Sequence, residues 1–180
     1  MKKLIIIRLI LLIIFIGCVI VYFVVAYPKQ QAIKHFNLAV AAYNQNDFQT
    51  AINEYKKTIE YQPNEPELYH NLTLAYYQAG QHDSAIETGL KALQLNSADT
   101  EMHYYLGLAY EKKAVDESAL SEYKQYIRLA PAGTFADEVN PKIAMLEEKL
   151  HPPTTIEEKL QKANQDLDMI NNALRRQQNK

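Results

Sequence analysis

Histidine is the side chain of this sequence with the widest range of chemistry, because imidazole acts as a general acid or base near neutral pH and also binds metal ions. The five histidines are His35, His70, His82, His103 and His151. None of them belongs to an HExxH motif, and the sequence contains neither a glycine-rich phosphate loop nor a nucleophile motif. The sequence therefore predicts no catalytic residues, no metal site and no cofactor.

Cys18 is the only cysteine, so the chain has no disulfide framework and no thiolate metal site. Residues 15–18 read Phe-Ile-Gly-Cys, which is similar to a bacterial lipobox, where the cysteine is acylated after cleavage. Residues 19–26 continue the apolar run, whereas a mature lipoprotein begins with a polar tether. We therefore expect an uncleaved anchor with an inert cysteine, and an anchored lipoprotein is the alternative.

Residues 1–27 predict a transmembrane signal anchor. Lys2, Lys3 and Arg8 precede an uncharged apolar stretch over residues 9–27. As a helix this stretch is roughly 28 Å long, close to the thickness of the hydrocarbon layer of a bilayer. The positive-inside rule keeps the basic end in the cytoplasm. We expect a single-pass protein of the bacterial inner membrane, inserted through residues 4–27, with an extracytoplasmic C-terminal domain; a cleaved signal peptide is the alternative.

Composition is consistent with one ordinary domain behind this anchor. The hydrophobic content of 48% is raised by the apolar segment, and the remaining residues are enough for a single core. The formal net charge is only -2. This charge offers no electrostatic attraction for nucleic acid or for an anionic membrane surface.

Residues 32–133 contain a pattern that recurs every 34 residues. Each copy has two halves with helical spacing of the apolar residues, and residues suited to a left-handed turn lie between the halves. Each copy therefore predicts two antiparallel helices. The corresponding residues are Leu38, Leu72 and Leu106 in the first half and Ala51, Ala85 and Ala119 in the second, with Asn46, Gly80 and Ala114 between them.

This pattern resembles the tetratricopeptide repeat (TPR) family, whose helical hairpins stack into a solenoid. The resemblance implies an all-α fold with repeats at 32–65, 66–99 and 100–133, and it places His35 and His103 at a packing position that favours aromatic residues. Such arrays bind proteins rather than catalyse reactions. The departures from the family pattern are Ala39 and Thr73 where the third copy keeps Gly107, Ala42 in place of a tyrosine, and Gly89 and Tyr126 in place of an aromatic residue and an alanine.

The resemblance also implies a binding groove lined by the first helix of each repeat. The expected groove is aromatic and apolar with a few amides, which suits an extended or helical peptide. Relatives that grip the carboxylate tails of heat-shock chaperones need basic and amide side chains there, and only Asn71 matches, so we expect no such receptor. The implied groove residues are Phe36, Asn37, Val40, Tyr43, His70, Asn71, Leu74, Tyr77, Tyr104, Tyr105, Leu108 and Lys112.

Three further segments follow the repeats. Residues 134–150 predict a helix that caps the last repeat, and residues 151–155 contain two prolines that break it. Residues 156–180 predict an amphipathic helix whose apolar residues are spaced 4, 3, 4, 3 and 4 apart, as in a coiled coil. Its seam over residues 156–174 has three open interpretations: a homo-oligomer, a partner helix, or packing back on the solenoid.

These features together predict a non-enzymatic, membrane-tethered scaffold or assembly factor that binds a protein or peptide in its groove. Two alternatives remain open. The protein could be a structural component that oligomerises through the C-terminal helix, or an anchored receptor on the mitochondrial outer membrane with its repeats in the cytosol.

Overall fold

The structure is a computed structural model that describes residues 2–152 and 155–178. It confirms the all-α class. The described residues form nine α-helices and one short π-helical segment over Tyr22–Ala26. The helices are α1 (Lys2–Val21), α2 (Tyr27–Asn44), α3 (Phe48–Tyr61), α4 (Pro66–Gln78), α5 (His82–Leu95), α6 (Thr100–Lys112), α7 (Asp116–Leu129), α8 (Ala136–Leu150) and α9 (Ile156–Gln178).

Three helical hairpins form the body of the protein: α2 with α3, α4 with α5, and α6 with α7. The second helices begin at Phe48, His82 and Asp116, so the 34-residue period of the sequence is also the period of the structure. His82 is therefore the first residue of α5. α3 also contacts α4, and α5 contacts α6, so the three hairpins form a continuous stack.

The turn inside each hairpin has one residue in the left-handed conformation; the sequence predicts it at Asn46 and Gly80, whose residue types tolerate positive φ, and Ala114 adopts it as well. Asn46, Gly80 and Ala114 have φ of 60°, 73° and 56°. The amide that follows each of them donates a hydrogen bond five residues back, for example from Asp47 to the Ala42 carbonyl at 2.9 Å. These bonds satisfy carbonyls at the end of the first helix. Asp47 then caps α3 by accepting a hydrogen bond from the Thr50 amide.

Small residues allow the helices of the stack to approach closely. Ala39, Ala51, Ala85 and Ala119 are fully buried. Leu38 differs from its counterparts in the other repeats, because it is 47% exposed while they are buried. The described residues before α2 form a continuous helix rather than a hairpin, so the surface of α2 that would pack on a preceding hairpin remains uncovered.

The apolar N-terminal segment continues directly into the first repeat. Residues Ile10–Asn44 form one helical run that is long and apolar enough to cross a membrane, judged by length and composition. At the π-helical segment the Tyr27 amide bonds to the Tyr22 carbonyl, five residues back. Pro28 lies in the first turn of α2. A regular helix would bring its ring against a carbonyl four residues back, and the wider π turn gives it room.

α8 packs on α7 and covers the end of the stack. Val139 and Leu146 are buried in this contact. The helix begins at Ala136 and continues through Pro141.

α9 follows a break that includes Pro153 and Thr154, which lie outside the described residues, as do Asn179 and Lys180 at the end of the predicted helix. An ion pair of 2.7 Å from Lys162 to Glu148 connects α9 to α8. The seam does not pack back on the solenoid: its described apolar residues Ile156, Leu160, Leu167, Ile170 and Leu174 are between 51% and 85% exposed.

Candidate functional site

The first helices α2, α4 and α6 contain all twelve residues expected in the groove, and we refer to this set of side chains as the wall. α4 and α6 contact each other directly, in addition to their contacts with the intervening α5. Their side chains therefore lie close enough to make one wall. On this wall Phe36, Val40, Tyr43, His70, Asn71, Leu74, Tyr77, Tyr105 and Leu108 are half-buried, Asn37 and Lys112 are exposed, and Tyr104 is buried.

Neighbouring rings hold the aromatic side chains of this wall in place. The Tyr43 ring contacts Phe48 edge-on at 5.4 Å, and the Tyr77 ring lies 5.5 Å from His82. Burial raises the pKa of Tyr77, and burial with the nearby Glu101 carboxylate raises the pKa of Tyr105. Both hydroxyls therefore remain protonated at neutral pH. Each presents an apolar ring and a hydrogen-bond donor to the groove.

Three histidines pair with carboxylates at hydrogen-bond distance. In the first and third repeats the pair joins the two helices of a hairpin at equivalent positions. His70, whose ring also meets Tyr105 at 6.0 Å, instead reaches the residue that caps α6. The pairs are His35 with Glu54 at 2.6 Å, His70 with Asp99 at 2.7 Å, and His103 with Glu122 at 2.7 Å.

Two of these pairs each join the helices of one hairpin and the third joins α4 to the cap of α6, so they are structural contacts rather than an open acid–base centre. Burial of Asp99 would raise its pKa, but the hydrogen bond and charge of His70 outweigh burial and lower the pKa. Asp99 also accepts a hydrogen bond from the Met102 amide at 3.1 Å. The carboxylate is thus occupied by structural contacts. Within residues 2–152 and 155–178, no group of three histidine, cysteine or acidic side chains is placed to hold a metal ion.

Tyr104 has little surface available for a ligand. It is 6% exposed, and its ring stacks on Phe135 with the two centroids 4.0 Å apart. Its hydroxyl donates a hydrogen bond of 2.9 Å to Glu138 of α8. Burial and this bond raise the pKa of Tyr104. Tyr104 therefore connects the third repeat to the capping helix, a role that the sequence analysis missed because Phe135 and Glu138 lie 31 and 34 residues away.

The groove ends at α8 in a polar cluster that was also missed. Lys142 forms an ion pair of 2.8 Å with Glu111, and Glu111 accepts a hydrogen bond of 2.6 Å from Tyr123. Burial of Glu111 would raise its pKa, but the bonds from Lys142 and Tyr123 outweigh burial and lower the pKa. The cluster is thus ionised and internally paired, and it adds no free charge to the groove.

Comparison with known proteins agrees with the stacked hairpins. The sequence pattern of the family described as TPR repeat matches residues 40–80 and 73–113. Residues 40–113 are tetratricopeptide repeats. No curated protein matches it in sequence.

Solved TPR structures share this fold. The TPR domain of OM64 from Arabidopsis aligns with a TM-score of 0.62 and 17% identity, covering 66% of this chain and 98% of that one. The first TPR domain of Spaghetti (RPAP3), bound to the HSP90 peptide SRMEEVD, aligns with a TM-score of 0.61 and 22% identity, covering 67% and 94%. The TPR2B domain of yeast Sti1, in complex with pHsp70, aligns with a TM-score of 0.60 and 17% identity, covering 67% and 98%. These structural alignments show that the chain shares the fold of the TPR array, and at identities this low they show the fold alone.

Proposed function

We propose that this TPR protein is a non-enzymatic, membrane-tethered scaffold that holds a peptide or helix of a partner protein in its groove. The observation that carries the proposal is the half-buried aromatic wall of Tyr43, Tyr77 and Tyr105, with Asn71 among them. Rings held in place by their neighbours provide apolar contact area at low cost in conformational entropy, and the amide can bond to a peptide backbone. TPR domains of similar fold are known with peptides bound, which supports a role in protein–protein interaction.

The chemistry of the groove favours a partner other than an acidic chaperone tail. The HSP90 peptide bound by the Spaghetti domain carries three carboxylate side chains in the sequence SRMEEVD. In this chain the residues expected at the corresponding places are Phe36, Val40, Glu101 and Tyr105, none of which is basic. A carboxylate buried there would have no cationic partner. An apolar segment, with its backbone bonded by amides, fits this wall better.

Tyr77→Ala and Tyr105→Ala should each weaken partner binding about thirtyfold, because an aromatic anchor in a groove contributes about 2 kcal/mol. The partner is first identified by crosslinking in intact cells from a photoreactive residue placed at Asn71. Its affinity for the variants is then measured by titration, with circular dichroism to check helix content. Leu90→Ala is the matched control, since Leu90 lies on the second helix of the same repeat and is 46% exposed. Unchanged affinity in both tyrosine variants would contradict a role of this wall in binding.

The second candidate function is assembly through α9, which is favoured by its exposed seam. A heptad seam in water is expected to associate with another helix, because about half or more of the surface of each seam residue is solvated. Deleting residues 153–180 separates the two functions. A groove-driven scaffold keeps its partner after this deletion, whereas a protein that works through α9 loses it.

The proposed topology places the repeats outside the cytoplasm of a bacterial cell, because Lys2, Lys3 and Arg8 precede the apolar run. Protease added to spheroplasts should then digest the repeats without detergent. If the C-terminal part is digested only after the membrane is lysed, the repeats lie in the cytoplasm and the proposed orientation is wrong. Cys18 lies within α1, which continues as helix to Val21. Cys18→Ser should therefore leave membrane attachment unchanged, and loss of attachment would establish the lipoprotein alternative.

A further inference from the structure

A pocket of about 330 Å³ lies at the end of the groove nearest the apolar N-terminal helix. The start of α2 forms one side, and the connection from α3 to α4 forms the other. Its apolar lining includes Ile33, Phe36 and Leu68. Phe36 also belongs to the groove, so the pocket and the groove form one continuous surface.

Two carboxylates stand at the edge of this pocket. Glu65 is the N-cap residue of α4 and makes no capping hydrogen bond with its side chain, and Glu67 lies in the first turn of α4. Both side chains line the pocket and both residues are exposed. Within the part of the chain that the structure describes, neither carboxylate has an ion-pair partner. The pocket therefore combines an apolar interior with an uncompensated negative rim.

We propose that this pocket binds an arginine or lysine side chain of the partner segment that occupies the groove. A long basic side chain buries its aliphatic stem against apolar surface and keeps its charged end at the polar rim. Ile33, Phe36 and Leu68 would contact the stem, and Glu65 and Glu67 would pair with the cation. The proposal rests on the proposed groove function and deepens it by stating the chemistry of the partner.

The position of the pocket adds a second property of the partner. Ile33 follows Tyr27, the last residue of the apolar run, by six residues, which is about 9 Å along a helix. In the membrane-tethered protein the pocket therefore lies close to the bilayer surface. The segment that fits it belongs to a protein held at the same membrane, and it combines apolar residues with at least one basic residue.

Charge complementarity argues against an anionic lipid headgroup as the occupant, because Glu65 and Glu67 would repel a phosphate. Lys34 follows Ile33 directly and lies on a different face of α2, whereas Lys29 lies four residues before Ile33 and thus on the same helix face. Lys29 does not line the pocket. The positive charge of Lys29 should weaken the binding of a cation. Removal of this charge should therefore strengthen binding, which is the opposite of the effect expected for Glu65 and Glu67.

The experiment uses the full chain in an uncharged detergent and a labelled probe peptide with glycine at each end of the sequence leucine–arginine–leucine–arginine–leucine. Fluorescence anisotropy gives its affinity. The double variant Glu65→Gln/Glu67→Gln should bind it roughly tenfold more weakly, and added salt should have a similar effect on the parent. Lys29→Gln should bind it about twofold more tightly, and Glu117→Gln on α7 is the matched control without effect. A probe with glutamate in place of arginine should not bind.

Equal affinity of the parent and the double glutamine variant for the arginine probe would overturn the proposal. It is also overturned if the glutamate probe binds as tightly as the arginine probe. These results leave the groove function intact, because that function is tested independently by Tyr77→Ala and Tyr105→Ala on the captured partner. Conversely, loss of the groove function leaves the arginine probe and its dependence on Glu65 and Glu67 unchanged.

Discussion

Tyr104→Ala is expected to destabilise the protein by about 4 kcal/mol, because removal of a buried aromatic side chain from a packed core costs about 3–5 kcal/mol. Tyr104 stacks on Phe135 and donates a hydrogen bond to Glu138, so its loss opens the contact between the third repeat and α8. The free energy of unfolding is measured by urea titration. Amide hydrogen exchange in α8 shows whether the capping helix loosens first.

Tyr104→Phe is the control for this prediction, since it keeps the stacked ring and removes only the hydrogen bond to Glu138. It should cost about 1 kcal/mol. The repeat pattern instead predicts that Tyr104 lies in the binding groove. A Tyr104→Ala variant with unchanged stability and lost partner binding would restore that interpretation and contradict the packing role.

Gly107→Ala is expected to destabilise the protein by about 2–3 kcal/mol, although alanine is the better helix former by about 1 kcal/mol. A Cβ atom at Gly107 would lie 2.5 Å from Cδ1 of the Tyr123 ring and closer still to Cε1. The ring cannot move away easily, because Tyr123 is completely buried and its hydroxyl is bonded to Glu111 at 2.6 Å. The overlap therefore outweighs the gain in helix propensity.

Gly89→Ala is the matched comparison, in the second helix of the neighbouring repeat. A Cβ atom there would lie 2.8 Å from Cδ2 of Leu106 and 3.0 Å from Sδ of Met102. Both side chains are buried, but both are flexible and neither is held by a hydrogen bond as the Tyr123 ring is, so they can shift more easily. The cost of Gly89→Ala should therefore be smaller than that of Gly107→Ala by about 1 kcal/mol or more. Thermal melts of the two variants against the parent test the order. A Gly107→Ala variant as stable as Gly89→Ala would show that the Tyr123 ring is free to shift.

The repeat architecture was predictable because its signals are local in sequence. Asn46 and Gly80 adopt the left-handed conformation because asparagine and glycine tolerate positive φ, and these two residues set where their hairpins turn. Ala114 takes the same conformation although alanine is unfavourable there, since the hydrogen bond from Val115 to the Tyr110 carbonyl completes the same turn. The 34-residue period, rather than the residue type, places Ala114 at the same position as Asn46 and Gly80.

The groove was predictable only in outline. The sequence placed twelve residues on the inner wall, and all twelve lie on the first helices; eleven of them have half-buried or exposed side chains, which include the rings of Tyr43, Tyr77 and Tyr105. His70 is among these eleven but is paired with Asp99, which lies 29 residues away. Tyr104 is covered by a helix that belongs to no repeat. His70 and Tyr104 occupy equivalent positions of the second and third repeats but have different neighbours. The position in the repeat alone therefore does not determine whether a side chain is exposed.

The sequence by itself determined the helical period, the turns, the apolar N-terminal run and the aromatic character of the inner wall, because each depends on residues within one or two helical turns. Only the tertiary structure decided that Leu38 is exposed, that Tyr104 belongs to the cap, that His35 pairs with Glu54, and that Glu65 and Glu67 share a pocket with Ile33. These features join residues that are distant in sequence. They arise from the distance and angle at which successive helices stack, which are set by the combined packing of many side chains.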